Sequence, residues 1–106
     1  SQMAEPMRIR ATMTGDVADV KVLMNHPMET GQRKDAKTGQ LVPAHFIQDV
    51  TATLNGATVL SANLGSGVSK NPYLGFKVKG AKAGDKIVVN WSDNKGDKNS
   101  AEAAIS

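Results

Sequence analysis

From Ser69 to Trp91 the chain reads Ser-Lys-Asn-Pro-Tyr-Leu-Gly-Phe-Lys-Val-Lys-Gly-Ala-Lys-Ala-Gly-Asp-Lys-Ile-Val-Val-Asn-Trp. Leu74, Phe76 and Val78 alternate with small or charged neighbours, a Gly/Ala/Asp connection intervenes, and Ile87, Val89 and Trp91 resume the same period. A period of two puts the apolar side chains on one face of an extended strand and the polar ones on the other. The stretch therefore predicts two half-buried antiparallel strands with Trp91 pinning the core. No apolar period of the helical kind is sustained anywhere in the chain, so a helical bundle is excluded as the organising principle.

The remaining segments repeat the pattern. In residues 7–14, Met7, Ile9, Ala11 and Met13 alternate with Arg8, Arg10, Thr12 and Thr14, and Gly15-Asp16 makes a turn. In 17–25, Val20, Val22 and Met24 share a face, and Leu23 on the opposite face predicts that something covers that end. A strand over 44–54 places Phe46, Gln48, Val50, Ala52 and Leu54 on one side. Asn55-Gly56 follows it directly, and this dipeptide is a strong hairpin signal because both turn positions need positive φ. The return strand, 57–64, carries Thr58, Leu60, Ala62 and Leu64 on one face; 65–72 is an irregular crossing; and after the polar turn at 92–97 the weakly patterned tail fits a final edge strand or a short helix, the turn favouring the strand.

Between His26 and Pro43 the alternation stops, and Pro27 and Pro43 end strand pairing on either side. Arg33 to Gly39 reads as a tight turn closed by a left-handed Gly39, so a protruding hairpin is predicted there. A loop of this length inside a small domain points to function. The fold expected from these segments is all-β, an antiparallel immunoglobulin-like β-sandwich of about seven strands. At 106 residues it is one domain, 7–106, behind a disordered segment 1–6 whose Ser1-Gln2 resembles a tag remnant.

Composition narrows the function. Aromatic residues make up 4%, so the core is aliphatic and a deep aromatic-lined pocket is disfavoured. The net charge of +3 comes from the second half, where seven lysines face four acids, against six and six in residues 1–53. The cations are isolated on strand faces and turns without interleaved aromatics, which argues against nucleic-acid binding. No apolar run is long enough for a membrane span and no leader pattern is visible. With no cysteine there is neither a disulfide nor a thiol.

Catalytic constellations are missing. There is no nucleophile elbow, phosphate loop or spaced His/Asp/Glu set, and Gly65-Ser66-Gly67 lacks a strand-turn-helix context. His26 and His45 bracket the irregular loop, with Met24 and Met28 beside the first. Imidazole and thioether together suit copper, since soft ligands select Cu(I). The plainer reading is that the methionines fill core gaps while the histidines hydrogen-bond across the loop neck. Asn71-Pro72-Tyr73 is a strand-entry turn or a ligand contact. The charge run Glu29, Arg33, Lys34 and Asp35 is a solvated surface or a docking epitope.

Four separated segments then carry a resemblance: His-Pro-Met-Glu-Thr-Gly-Gln-Arg-Lys-Asp from His26, Val-Pro-Ala-His-Phe-Ile at 42–47, Val-Ser-Lys-Asn-Pro-Tyr at 68–73, and Val-Asn-Trp-Ser-Asp-Asn-Lys-Gly at 89–96. In order and spacing, from Met7 to Ile105, the chain resembles the SoxZ family of bacterial thiosulfate oxidation. The resemblance implies an immunoglobulin-like, non-catalytic subunit that binds a SoxY-like carrier. That partner holds sulfur intermediates on a C-terminal cysteine, is visited by other Sox enzymes, and resides in the periplasm, to which this chain would be exported with it. It implies no catalytic residue, cofactor or metal, and no nucleic-acid or membrane contact. Candidate partner contacts are His26, Pro27, Met28, Glu29, Arg33, Pro43, His45, Phe46, Ser69, Lys70, Asn71, Pro72 and Tyr73, chosen as irregular positions without an evident core duty. The alternative is a periplasmic copper-binding domain of the same architecture using His26, His45 and neighbouring methionines.

Overall fold

The computed structural model describes residues 7–106; the expected disordered segment 1–6 lies outside the described residues. The described residues form seven strands: β1 (Arg8–Thr14), β2 (Val17–Leu23), β3 (Ile47–Leu54), β4 (Ala57–Asn63), β5 (Tyr73–Lys79), β6 (Lys86–Asp93) and β7 (Lys98–Ala104). They form a three-stranded sheet, β1-β2-β5, and a four-stranded sheet, β4-β3-β6-β7, every pairing antiparallel. The all-β sandwich is as the alternation predicts, and the tail, which fits either a strand or a short helix, forms the edge strand β7.

The core lies between the sheets. Ala11, Ala18, Val20, Val22 and Val78 from the first meet Ile47, Val50, Ala52, Ile87, Val89 and Trp91 from the second, with Met24 and Ile105 filling the ends. These are the inward positions of each strand, and burying them supplies the main drive to fold, about 25 cal/mol per Å² of apolar surface. The tail adds a stitch across the sandwich, with the Ser106 N–H donating to Ala11 O at 3.0 Å and the Met13 N–H to Ser106 O at 2.9 Å.

Four expectations need correction. The strands at 73–79 and 86–93 are not partners: β5 pairs with β2, whereas β6 lies between β3 and β7, so the connection at 80–85 crosses from one sheet to the other. The strand expected over 44–54 starts at Ile47, and a bulge between Ile47 and Asp49 inverts the phase at its start, burying Ile47 and exposing Gln48. A second irregularity, between Ala52 and Thr53, falls opposite Leu60 and Thr58, so Val59 is exposed and Thr58 does not face the core. Leu23 is not covered either; it stays 38% exposed, beside its cross-strand partner Tyr73. The Asn55-Gly56 turn has φ of 49° and 88°, as its hairpin requires.

Candidate functional site

The irregular segment 26–43 is split by its own hydrogen bonds into a neck and a tip. At the neck, Glu29 N–H donates to His45 O at 2.7 Å and His45 N–H to Glu29 O at 3.0 Å. At the tip, Lys34 pairs with Leu41, Asp35 caps the N–H groups of Lys37 and Thr38, and Gly39 takes φ of 71°. This is the protruding hairpin expected there. Arg33 makes a two-point hydrogen bond to Glu29, at 3.0 and 2.7 Å, which holds Glu29 below the ordinary carboxylate value.

The neck brings the two histidines together, with ring centroids 4.5 Å apart. Between them lies Asp93, expected in the polar turn at 92–97 and found at the end of β6. His26 Nε2 is 2.9 Å and His45 Nε2 2.7 Å from the same Asp93 Oδ2. The other oxygen, Oδ1, accepts the Lys95 and Asp97 N–H groups, both at 2.9 Å. Burial alone would raise the Asp93 carboxyl, but the bonds from His26, the Asp97 N–H, His45 and the Lys95 N–H outweigh it and hold the group below its ordinary value. Asp93 is thus ionised and fully hydrogen-bonded although its side chain is inaccessible to solvent.

His26 is also held from behind. The Met28 N–H donates to His26 Nδ1 at 3.1 Å. Because a backbone N–H can only donate, Nδ1 is the acceptor and the ring proton sits on Nε2, pointing at Asp93. Met28 holds φ of 50°, a costly conformation for a non-glycine residue, and its sulfur accepts the buried Ile47 N–H at 3.3 Å. The Trp91 ring stands edge-on to His26, centroids 5.2 Å apart, while its Nε1 finds no hydrogen-bond partner among the described residues. Two asparagines fix the backbone around the knot. Asn71 Oδ1 accepts the His26 N–H while the Asn71 N–H donates to His26 O, and Asn94 clamps Phe46 and Ala44 through its side-chain amide.

His26, His45 and Asp93 offer donor atoms within 4.8 Å of one another, a spacing that suits a metal ion. The tautomer works against it. A cation on His26 Nε2 would drive that proton to Nδ1, directly against the Met28 N–H, and the Met28 thioether is already a hydrogen-bond acceptor. The arrangement favours a polar core device, the plainer of the two readings of the histidines.

The sequence-chosen positions separate by burial. His26, Met28 and Pro72 are buried and have core duties after all; Glu29, His45 and Phe46 are half-buried; Pro27, Arg33, Pro43, Ser69, Lys70, Asn71 and Tyr73 are exposed. Asp93 and Asn94 were missed. The signal for Asp93 was present, since Ile87, Val89 and Trp91 put the next inward position at 93.

The fold and this site define an immunoglobulin-like sandwich closed at one end by a buried His-Asp-His knot and carrying no thiol. The chain belongs to the SoxZ family: the family model described as sulphur oxidation protein SoxZ matches residues 7–104. No curated protein matches it significantly. Family membership gives the chain a role in sulfur oxidation.

Proposed function

We propose that the chain is a non-catalytic subunit of a sulfur carrier, binding a SoxY-like protein in the periplasm and supporting the partner's sulfur-loaded arm. The observation that carries this reading is the family match joined to the chemistry of the knot. In the most reactive-looking cluster of the described residues, Asp93 and His26 are committed to hydrogen bonds within the fold, and a chain with no cysteine cannot hold a persulfide itself. What remains to act is surface. The exposed and half-buried members of the neck, Pro27, Glu29, Arg33, Pro43 and Phe46, together with Ser69 and Lys70, are the proposed contacts with the carrier. A permanent interface of this kind buries on the order of 2,000 Å² or more and is apolar at its centre.

Affinity capture from a native periplasmic extract followed by intact mass tests this. Recovery of one small partner bearing sulfur adducts on a terminal cysteine is the expected result. Repeated recovery of the chain alone contradicts it.

A further inference from the structure

The outer face of the three-stranded sheet carries an unbalanced charge. Strand register sets Arg8, Leu23 and Tyr73 in one row, Arg10, Lys21 and Gly75 in the next, then Thr12, Asp19 and Lys77, and finally Thr14, Val17 and Lys79. Five cations therefore share the face with one carboxylate, Asp19, and among the described residues none of the five makes an ion pair. Arg10 and Lys21 stand directly opposite each other. Like charges in that relation destabilise a sheet, so the fold tolerates this pair without gaining from it.

The lysines of β5 have a plain explanation, because an edge strand is guarded by Lys against pairing with another chain. That explanation does not reach Lys21, which sits on the central strand β2, nor Arg10, whose strand is already stitched to Ser106. The relief of the face also suggests a ligand. Gly75 has no side chain opposite Lys21, and the Tyr73 ring lies 3.6 Å from where its Cβ would stand. Arg8, Ile9, Arg10, Lys21, Leu23 and Tyr73 line a shallow groove of about 460 Å³. Leu23 is 38% and Tyr73 62% exposed there.

We propose that this face docks an acidic, extended segment of a visiting protein. Carboxylates of the segment pair with Arg8, Arg10 and Lys21, and one apolar side chain enters beside Leu23 and Tyr73. Charge-rich, apolar-poor surfaces suit transient encounters, because charges steer association and register, whereas permanent interfaces exclude charge from their centres. The inference rests on the reading of the chain as a carrier subunit only in assuming that other proteins visit it. The face is distinct from the neck proposed for the permanent partner.

The test uses the full chain, isotope-labelled, and three probes: a short synthetic peptide of glutamate and leucine, anionic phosphatidylserine vesicles, and single-stranded DNA. The proposal predicts that the peptide moves amide resonances of residues 8–10, 21–23 and 73–77, and that Lys21→Glu weakens it about tenfold. Raising salt from about 0.05 to about 0.5 M abolishes binding. Lys21→Glu also replaces a like-charge pair with an opposite one, so its Tm rises by about 2–4 °C. Shifts confined to other surfaces, or vesicles or DNA bound as tightly as the peptide, would overturn the assignment. Carrier capture by the Lys21→Glu chain separates the two proposals: retained capture with lost peptide binding supports the visiting-protein reading, and lost capture would put the permanent partner on this face instead.

Discussion

The knot at the neck and the cationic face of β1-β2-β5 both gather charged side chains, and they treat them in opposite ways. At the knot a single carboxylate accepts four hydrogen bonds, and one of its ring partners, His26, is fixed from behind by Met28 and by the Asn71 clamp. On the face, Arg10 and Lys21 oppose each other and, among the described residues, neither makes an ion pair. The first arrangement spends its polarity on the fold; the second leaves its polarity for something outside the molecule. Buried polar groups that are fully satisfied order a core, and unpaired exposed charges are free to recognise.

The comparison breaks most easily at Asp93. Asp93→Ala deprives two imidazole N–H groups and two backbone N–H groups, buried or part-buried, of their acceptor and is predicted to cost about 3–5 kcal/mol in chemical denaturation. Peptide binding at the cationic face, measured where the variant remains folded, is predicted to be unchanged. His26→Ala removes the ring packed against Trp91 and is predicted to cost about 2–4 kcal/mol, whereas the half-buried His45→Ala costs about 1 kcal/mol. If the two histidine variants were equally damaging, the unequal burial of the knot would have no energetic meaning.

Acid sharpens the same contrast. The folded-state pKa of Asp93 is depressed, so its contribution is complete above the ordinary carboxylate value of about 3.9 and is lost as pH falls through the lower folded value. Melting followed from neutral pH downward should show the Tm gap between the native chain and Asp93→Asn closing in that acid range. A gap constant to the lowest pH would mean that Asp93 is not ionised in the fold. The smallest effect belongs to the hairpin tip, where Arg33→Ala removes an exposed pair and should leave Tm unchanged within error.

Much of this architecture was legible in the alternation. Which residues point inward was readable because burial selects apolar side chains at every second position, and Asn55-Gly56 announced its turn by its conformational needs. Partnership was not readable. The pattern of β5 and β6 reports faces and says nothing of which strand lies alongside, so the crossing at 80–85 passed for a hairpin connection. Bulges escaped for a related reason, since the extra residue at the start of β3 alters the phase without a signature in residue type. The two histidines were visible as a pair around a loop, but their common partner lies 67 residues from His26, and a charged residue on the buried parity of β6 looked like the start of a polar turn.

The claim that the knot is structural rests on one proton. A two-bond proton-nitrogen correlation spectrum of the imidazoles, recorded with and without equimolar Zn(II) or Cu(I), observes it directly. The account predicts His26 with its proton on Nε2, an acceptor Nδ1, and no change on adding either metal. A proton found on Nδ1, with His26 Nε2 shifting to saturation at one equivalent of metal, would contradict it and make the knot a binding site.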